Sequence, residues 1–199
     1  MRQISLRKHL PSRDLAERYM RGDASWGVGS DQFMSDADRV AEMERVVAQL
    51  HHVIKQFPRT RVLEFAILKS HLITESALTH FIRLTSRVLV SAEEIKLSYA
   101  QKLQIAQLHG FAYGSATVIP SLEILNGLRN HVVHKFEFDM RLVDLFVKIN
   151  SDAYDESLDA TNIGRIRCLR QFSKFLAAST AGTLESLVYM TAKNTSDAL

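Results

Sequence analysis

Apolar side chains recur at every third or fourth position along most of the chain, which is the spacing of an amphipathic α-helix. A first long helix carries Met43, Val46 and Leu50 on one face and is predicted to end near Pro58. A second helix, at about residues 60–85, is apolar around much of its circumference. We therefore expect the second helix to lie at the centre of the fold.

Cap and stop signals divide the next part of the chain into shorter helices. Ser98 is a suitable N-terminal cap for a short third helix, and Gly110 is placed to end it. A fourth helix is predicted over about residues 118–134, and a fifth begins after Asp139. These signals indicate a succession of helices joined by short connections.

The last predicted helix extends from Asn162 to about Thr191, with Gly182 as a possible break. Only eight glycines and three prolines interrupt the 199 residues, and no repeat of fixed period is present. The sequence therefore predicts an all-α fold, a single bundle of five to six helices.

Positive charge is concentrated near the N-terminus. Residues 1–22 hold six basic and two acidic side chains, whereas the whole chain has a formal net charge of +3, so the rest is close to neutral. We expect residues 1–30 to form a basic arm and linker, and residues 31–195 to form the helical domain. A solvated tail and an arm that binds nucleic acid are both consistent with this charge.

The cellular compartment is indicated by what the sequence lacks. Cys168 is the only cysteine, so an internal disulfide and a thiol-based zinc cluster are both excluded. No run of about 18 apolar residues is present to cross a membrane, and the start lacks the apolar core of a secretory signal. We expect a cytoplasmic protein with no membrane contact, no metal and no cofactor.

Candidate chemistry is concentrated in residues 122–136, LEILNGLRNHVVHKF, at the end of the fourth predicted helix. Arg129 supplies a permanent planar charge that fits a phosphate, and His134 can accept or donate a proton near neutral pH. The spacing from arginine to histidine is a weak signal alone, because Arg45 and His51 also satisfy it. The residues around the pair are more specific.

The segment LEILNGLRNHVVH resembles the Leu-Asn-x-Leu-Arg-Asn-x-x-x-His signature of HEPN-domain proteins, compact helical bundles that include RNA-cleaving toxins and defence effectors. Upstream, LEFAILKSHLITESALTHFI and SYAQKLQIAQLHG resemble the second helix and the short helix of bacterial members, so the resemblance covers about residues 61–150. Two positions depart from the family pattern. Gly127 indicates either a close packing contact at this position or a neutral departure from the family pattern. Val133 is predicted to affect the orientation of the His134 side chain.

The resemblance implies a metal-independent endoribonuclease that leaves 2′,3′-cyclic phosphate and 5′-hydroxyl ends. His134 would transfer protons, Arg129 would hold the phosphate, and Asn130 would orient either the histidine or the phosphate. Arg129 and His134 point about 140° apart on a regular helix, so one helix does not bring them together. In catalytic HEPN families two subunits form one composite cleft, which implies a homodimer here.

The same resemblance implies partners and a biological role. RNA would be the substrate, and the protein would act as a toxin or as a stress or defence effector. A toxin–antitoxin arrangement would add an antitoxin protein as a partner. The basic arm over residues 1–30 would contribute salt-sensitive affinity for RNA.

Glu75, on the apolar side of the second helix, is the next candidate, because an unpaired carboxylate is costly to bury there. His71, four residues earlier on the same face, and Arg129 are both possible partners. HEPN members often carry an acidic residue in this helix, so Glu75 and His71 are predicted to support the site. An exposed pair of structural value only is the alternative.

Other interpretations of the motif remain open. Arg129 and His134 can simply end the fourth helix, where basic side chains interact favourably with the helix dipole. The protein can also be a non-catalytic HEPN-like module that binds proteins or nucleotides, with a link to transcriptional regulation as in the similar mannitol operon repressors. Within the motif we expect His131 to face the solvent, since Val132 and Val133 are better placed to pack.

Overall fold

Six α-helices make up the computed structural model, and no β-strand occurs among the residues it describes, which are 36–55, 57, 59–86, 96–134, 139–154 and 161–196. In chain order the helices are α1 (Asp36–Lys55), α2 (Leu63–Ser86), α3 (Tyr99–Leu108), α4 (Val118–His134), α5 (Met140–Tyr154) and α6 (Asn162–Ser196). The prediction of an all-α fold with five to six helices is confirmed. The predicted basic arm over residues 1–30 lies outside the described residues.

The two longest helices, α2 and α6, form the centre of the bundle. α2 packs against α1, α3, α4 and α6, while α6 packs against α1, α2 and α5. Leu78 of α2 and Leu169 and Leu184 of α6 are fully buried. Each such side chain contributes about 1.5–3 kcal/mol when it is removed from water. The central position predicted for the second helix is confirmed.

The apolar side of α4 anchors the helix that carries the motif. Leu122, Leu125 and Leu128 are fully buried against the core. α5 packs on the same helix, and its buried Asn150 donates a hydrogen bond to the Ser121 hydroxyl at 2.9 Å. Because this amide is satisfied, its burial does not weaken the contact between α4 and α5. The C-terminal end of α4 is therefore presented on a firmly packed helix.

Local signals set the ends of the shorter helices. The Ser98 hydroxyl accepts from the Gln101 amide at 3.4 Å, and the Gln101 side chain accepts from the Ser98 amide at 2.9 Å, which forms a capping box before α3. Gly110 follows α3 with a φ of 84°, a conformation that glycine adopts readily. Asp139 accepts from the Arg141 amide at 3.0 Å at the start of α5. These three predicted signals are confirmed.

The predicted break at Gly182 is wrong, because α6 continues through this position to Ser196. Ala181 and Leu184 on either side are fully buried, whereas Gly182 itself is exposed. A glycine inside a helix costs about 1 kcal/mol relative to alanine. The packing of the two neighbouring side chains offsets that cost, so the helix is not interrupted.

Within the part of the chain that the structure describes, no helix has both the length and the apolar composition required to span a bilayer.

Candidate active site

Asn130 and His134 lie on the side of α4 that is turned away from the core, whereas Arg129, four residues after the buried Leu125, lies on the side of the leucines. Arg129 is half-buried, whereas Asn130 and His134 are exposed. The helix is continuous from Val118 to His134, so His134 is the last residue of a regular helical turn. A cation, an amide and an imidazole are therefore accessible at the end of one well-anchored helix.

The structure brings Arg129 and Asn130 together. Arg129 Nη1 donates a hydrogen bond to Asn130 Oδ1 at 3.1 Å. This contact restrains the guanidinium at the surface and leaves its other N–H groups for a further acceptor, because the guanidinium carries five donors. Asn130 was expected to orient the histidine or the phosphate, whereas within one chain its hydrogen bond is with Arg129.

Arg129 and His134 do not face each other within one chain. Five residues along an uninterrupted α-helix correspond to a rotation of about 140° between the two side chains. The helical conformation of α4 extends through both residues, so the end of the helix is not unwound at either of them. If Arg129 binds the phosphate of a substrate, the group that donates or accepts the proton must therefore be one other than His134 of the same chain.

Glu75 on α2 pairs with a residue that was not among its predicted partners. Lys102 Nζ of α3 donates to Glu75 Oε1 at 2.8 Å, and the side chain of the lysine is only 13% exposed. His71 Nδ1 lies 3.8 Å from Glu75 Oε2, which is longer than a hydrogen bond. Of the two partners predicted for this carboxylate, His71 is beside it, but the short contact is made by Lys102.

His71 is buried between three helices and is not available to a substrate. Its ring stacks on that of Tyr99 with 4.4 Å between centroids, and its Nε2 lies 3.3 Å from Asn126 Oδ1. Burial lowers the pKa of His71, and the nearby charges of Arg129 and Lys102 lower it further, against the opposite effects of Asn126 and Glu75. The imidazole is therefore neutral at pH 7, where it acts as a hydrogen-bonding and packing group.

The Tyr99 ring that covers His71 is itself fixed by a hydroxyl pair. Thr74 Oγ1 donates to the His71 carbonyl at 3.0 Å and lies 3.0 Å from the Tyr99 hydroxyl. Because the single proton of the threonine hydroxyl is used by the carbonyl, the tyrosine hydroxyl donates to Thr74. Burial raises the pKa of Tyr99, so this donor stays protonated across the physiological range.

A row of neighbouring polar side chains thus joins α3, α2 and the motif helix. It runs from Lys102 through Glu75 and His71 to Asn126, which stands three residues before Arg129 on α4. The quoted signature includes Asn126 as its Leu-Asn asparagine, so the resemblance contained a signal for this residue. Lys102 and Tyr99 lack such a signal, because nothing in one sequence pairs residues on different helices.

Two predictions inside the motif are wrong. Val133 was expected to pack but is 49% exposed, and His131 was expected to face the solvent but is half-buried. Val132 packs against the core as predicted. Val133 is seven residues after Asn126 and eleven after the buried Leu122, so it lies on the same side of α4 as both, but in the last turn of the helix, where it is exposed.

Metal ligands do not cluster in the described part of the chain, where no group of three or more His, Cys, Asp or Glu side chains is arranged to hold an ion. In comparisons with protein-family models, curated proteins and solved structures, nothing matched the chain.

Proposed function

We propose that the protein is a metal-independent endoribonuclease of the HEPN type, active as a homodimer whose two copies complete one cleft. The observation that carries the proposal is the placement of Arg129, Asn130 and His134. All three are polar side chains in the last two turns of α4, where Asn130 and His134 are exposed and Arg129 is half-buried. Accessible polar groups on a firmly packed helix are suited to binding and catalysis.

The chemistry follows from what each side chain can supply. One imidazole, His134, removes the proton from a ribose 2′-hydroxyl, and the oxygen attacks the adjacent phosphorus. The P–O5′ bond breaks as the new P–O2′ bond forms, the 5′-oxygen takes a proton from the solvent, and His134 returns to the solvent the proton that it removed. The products are a 2′,3′-cyclic phosphate and a 5′-hydroxyl.

Arg129 stabilises the negative charge that accumulates on the non-bridging oxygens during this step. A guanidinium already restrained by Asn130 meets the phosphate with little loss of side-chain freedom. Glu75 and His71 do not contact the reacting atoms and are proposed to hold α4 against α2 and α3. Cleavage of RNA would fit a toxin, with an antitoxin protein as its partner, or a stress or defence effector in the cytoplasm.

One observation favours a second candidate function. The divergence of Arg129 and His134 within one chain, together with the pairing of Arg129 with its neighbour Asn130, suits a polar surface that binds another molecule without chemistry. A non-catalytic module for proteins or nucleotides, linked to transcriptional regulation, would have this surface. Such a module needs no second copy to bring the two side chains together.

Incubation of the purified protein with total RNA in excess chelator tests the proposal. We expect cleavage by the parent and a loss of about 100-fold or more in His134→Ala and Arg129→Ala, the size typical of a lost acid–base or charge-stabilising group. His109→Ala is the matched control, because His109 is an exposed histidine at the end of α3. New ends should accept a 5′-phosphate label without prior dephosphorylation.

Three results would contradict the proposal. Full cleavage by both variants would show that the motif residues are not the catalytic groups. Inhibition of the parent by the chelator would show that the reaction needs a metal. Absence of cleavage by the parent would favour the binding module.

A further inference from the structure

An open groove lies between α1 and α2, on the side of α2 opposite to the motif helix. The two helices are antiparallel, because Arg39 near the start of α1 donates a hydrogen bond to the Leu84 carbonyl near the end of α2 at 3.1 Å. Ile73 and His80 line the groove, and at about 100° per residue they lie about 160–180° around α2 from His71, which contacts α4. The groove is therefore separate from the proposed catalytic site.

Two adjoining cavities make up this groove. The first, of about 260 Å³, is bounded by Phe57, which follows α1, and by Leu72 of α2. The second, of about 500 Å³, extends to Arg45 on α1 and His80 on α2. Both cavities are lined by the same four residues, Leu50, His52, Val53 and Ser76. The groove is therefore continuous, and along α2 it has a length of about 16 Å, or three helical turns.

Apolar side chains form the floor of the groove. Leu50, Phe57 and Ile73 line the first cavity and are otherwise almost fully buried. Leu72 stands at the edge of the groove and is 58% exposed, and Phe65, seven residues earlier on the same side of α2, is 45% exposed. A partner that enters the groove therefore removes apolar surface from water, which favours association.

The walls of the groove are basic. Arg45 and His52 come from α1, and Lys69 and His80 come from α2. Among the residues that the structure describes, no aspartate or glutamate lines either cavity. At pH 7 the walls thus carry the permanent charges of Arg45 and Lys69, one from each helix, and this favours an anionic partner.

Glu42, outside the cavities, does not cancel the charge at the Arg45 end. Its carboxylate pairs with Arg45 at 2.7 Å and with Arg83 at 3.0 Å, so two guanidinium groups share one negative charge. Arg45 donates to it through Nε and Nη2, which leaves the Nη1 donors for another acceptor, and the Arg45 side chain is 53% exposed. This end of the groove therefore keeps a positive charge that a partner can reach.

We propose that this surface, the α1–α2 groove, defined by Arg45, His52, Lys69, Leu72 and Ser76, binds an acidic amphipathic helix of another protein. Such a helix places apolar side chains at three- and four-residue spacing in a groove, and its acidic side chains would meet the basic walls. Three turns of groove suit about three apolar anchors.

A single strand of nucleic acid fits the groove less well than this helix. Proteins hold such strands by stacking bases on exposed aromatic rings beside a basic track for the phosphates. The part of the floor shared by both cavities is aliphatic, formed by Leu50 and Val53. A phosphate backbone would leave this floor without an apolar partner.

Synthetic peptides test the groove on the purified full chain. The probe is a fluorescently labelled helical peptide of about 14 residues, with leucines three and four positions apart and glutamates on both flanks. One comparison peptide has the same composition in shuffled order, and another has lysine in place of each glutamate. Fluorescence anisotropy should show saturable binding of the acidic peptide and at least about 10-fold weaker binding of the other two.

Substitutions in the groove locate the binding site. Ser76 is exposed and lines both cavities, so Ser76→Tyr fills the groove without changing its charge and should weaken binding about 10-fold or more, whereas Ser76→Ala should bind like the parent. Lys69→Glu should weaken binding of the acidic peptide and strengthen binding of the lysine peptide. Lys148→Glu, at an exposed lysine of α5, is the control for the charge change. Circular dichroism spectra should show that each variant is folded.

Four results would overturn the proposal. They are equal affinity for the acidic and shuffled peptides, no saturable binding of the acidic peptide up to about 1 mM, and binding that Ser76→Tyr and Lys69→Glu leave unchanged. The fourth is a single-stranded RNA that displaces the peptide and loses its affinity in Ser76→Tyr, which would assign the groove to nucleic acid. These results are independent of RNA cleavage, so the nuclease proposal is tested separately.

Discussion

At the scale of single residues, burial separates the polar side chains of the site into two groups. Asn130 and His134 are exposed and available to a ligand, whereas His71 is only 5% exposed and is enclosed by Tyr99 and Asn126. We therefore propose different roles for the two histidines of the predicted site. Reaction chemistry is proposed for His134, and the effect of His71 should appear in stability.

The first prediction concerns the dependence of stability on pH. The pKa of His71 is lowered from its ordinary value of 6.5 by burial, so the folded chain keeps the ring neutral while the unfolded chain protonates it. As the pH falls below about 6.5, the unfolded state binds a proton that the folded state does not, and the free energy of unfolding decreases. His71→Gln keeps a polar side chain that does not titrate.

The melting temperature of the parent should therefore fall more steeply than that of His71→Gln as the pH is lowered from about 7.5 to about 5.5. Differential scanning calorimetry at several pH values provides the comparison. Equal slopes for the two proteins would contradict a neutral, buried His71.

The second prediction concerns the ion pair between α2 and α3. Lys102→Met removes the short contact to Glu75 and should lower the free energy of unfolding by about 1 kcal/mol, because the carboxylate is partly exposed and screened. Glu75→Gln and the double variant complete a cycle measured by urea denaturation. We expect a coupling energy of about 0.5–1 kcal/mol. Additive effects would show that the pair contributes nothing, and Lys148→Met, at an exposed lysine, is the control.

At the scale of helices, the sequence was most informative where the signal is local. The cap at Ser98, the stop at Gly110 and the extent of α4 depend on residues within a few positions of one another, and all three were predicted. Lys102 and Glu75 are 27 residues apart, and His71 and Asn126 are 55 apart, so their contacts follow from packing between helices. Gly182 shows the same limit, since packing overrides a local tendency to break the helix.

The third prediction concerns Gly127 within α4. The sequence indicated either a close packing contact at this glycine or a neutral departure from the family pattern. A Cβ atom built at Gly127 has no neighbouring atom within 4 Å. Gly127→Ala should therefore raise the free energy of unfolding by about 0.5–1 kcal/mol, because alanine favours the helix. Gly114→Ala should have the opposite effect, since Gly114 has a φ of 80° that strains any other residue. A loss of stability in Gly127→Ala would indicate a close contact at that position.

At the scale of the whole molecule, one chain supplies a firmly packed bundle and only part of the proposed catalytic site. The leucines of α4 and the polar contacts from α3 through α2 fix where Arg129 lies, but the regular helix turns His134 away from it. The sequence predicted this divergence from the spacing alone. It did not predict that Leu72 of α2 is 58% exposed, because the predicted helix is apolar around much of its circumference and only the arrangement of the other helices shows which side they cover.

The central claim is that the cleft is completed by a second copy, and mixing two inactive variants tests it most directly. Arg129→Ala and His134→Ala, co-expressed with different tags, give a mixed dimer that keeps one intact arginine and one intact histidine. RNA cleavage in chelator should be lost in each pure variant and regained in the purified mixed dimer. A dimer of Arg129→Ala with the double variant, which lacks both arginines, should stay inactive. A mixed dimer as inactive as its parents, or full cleavage by a single chain, would contradict the account.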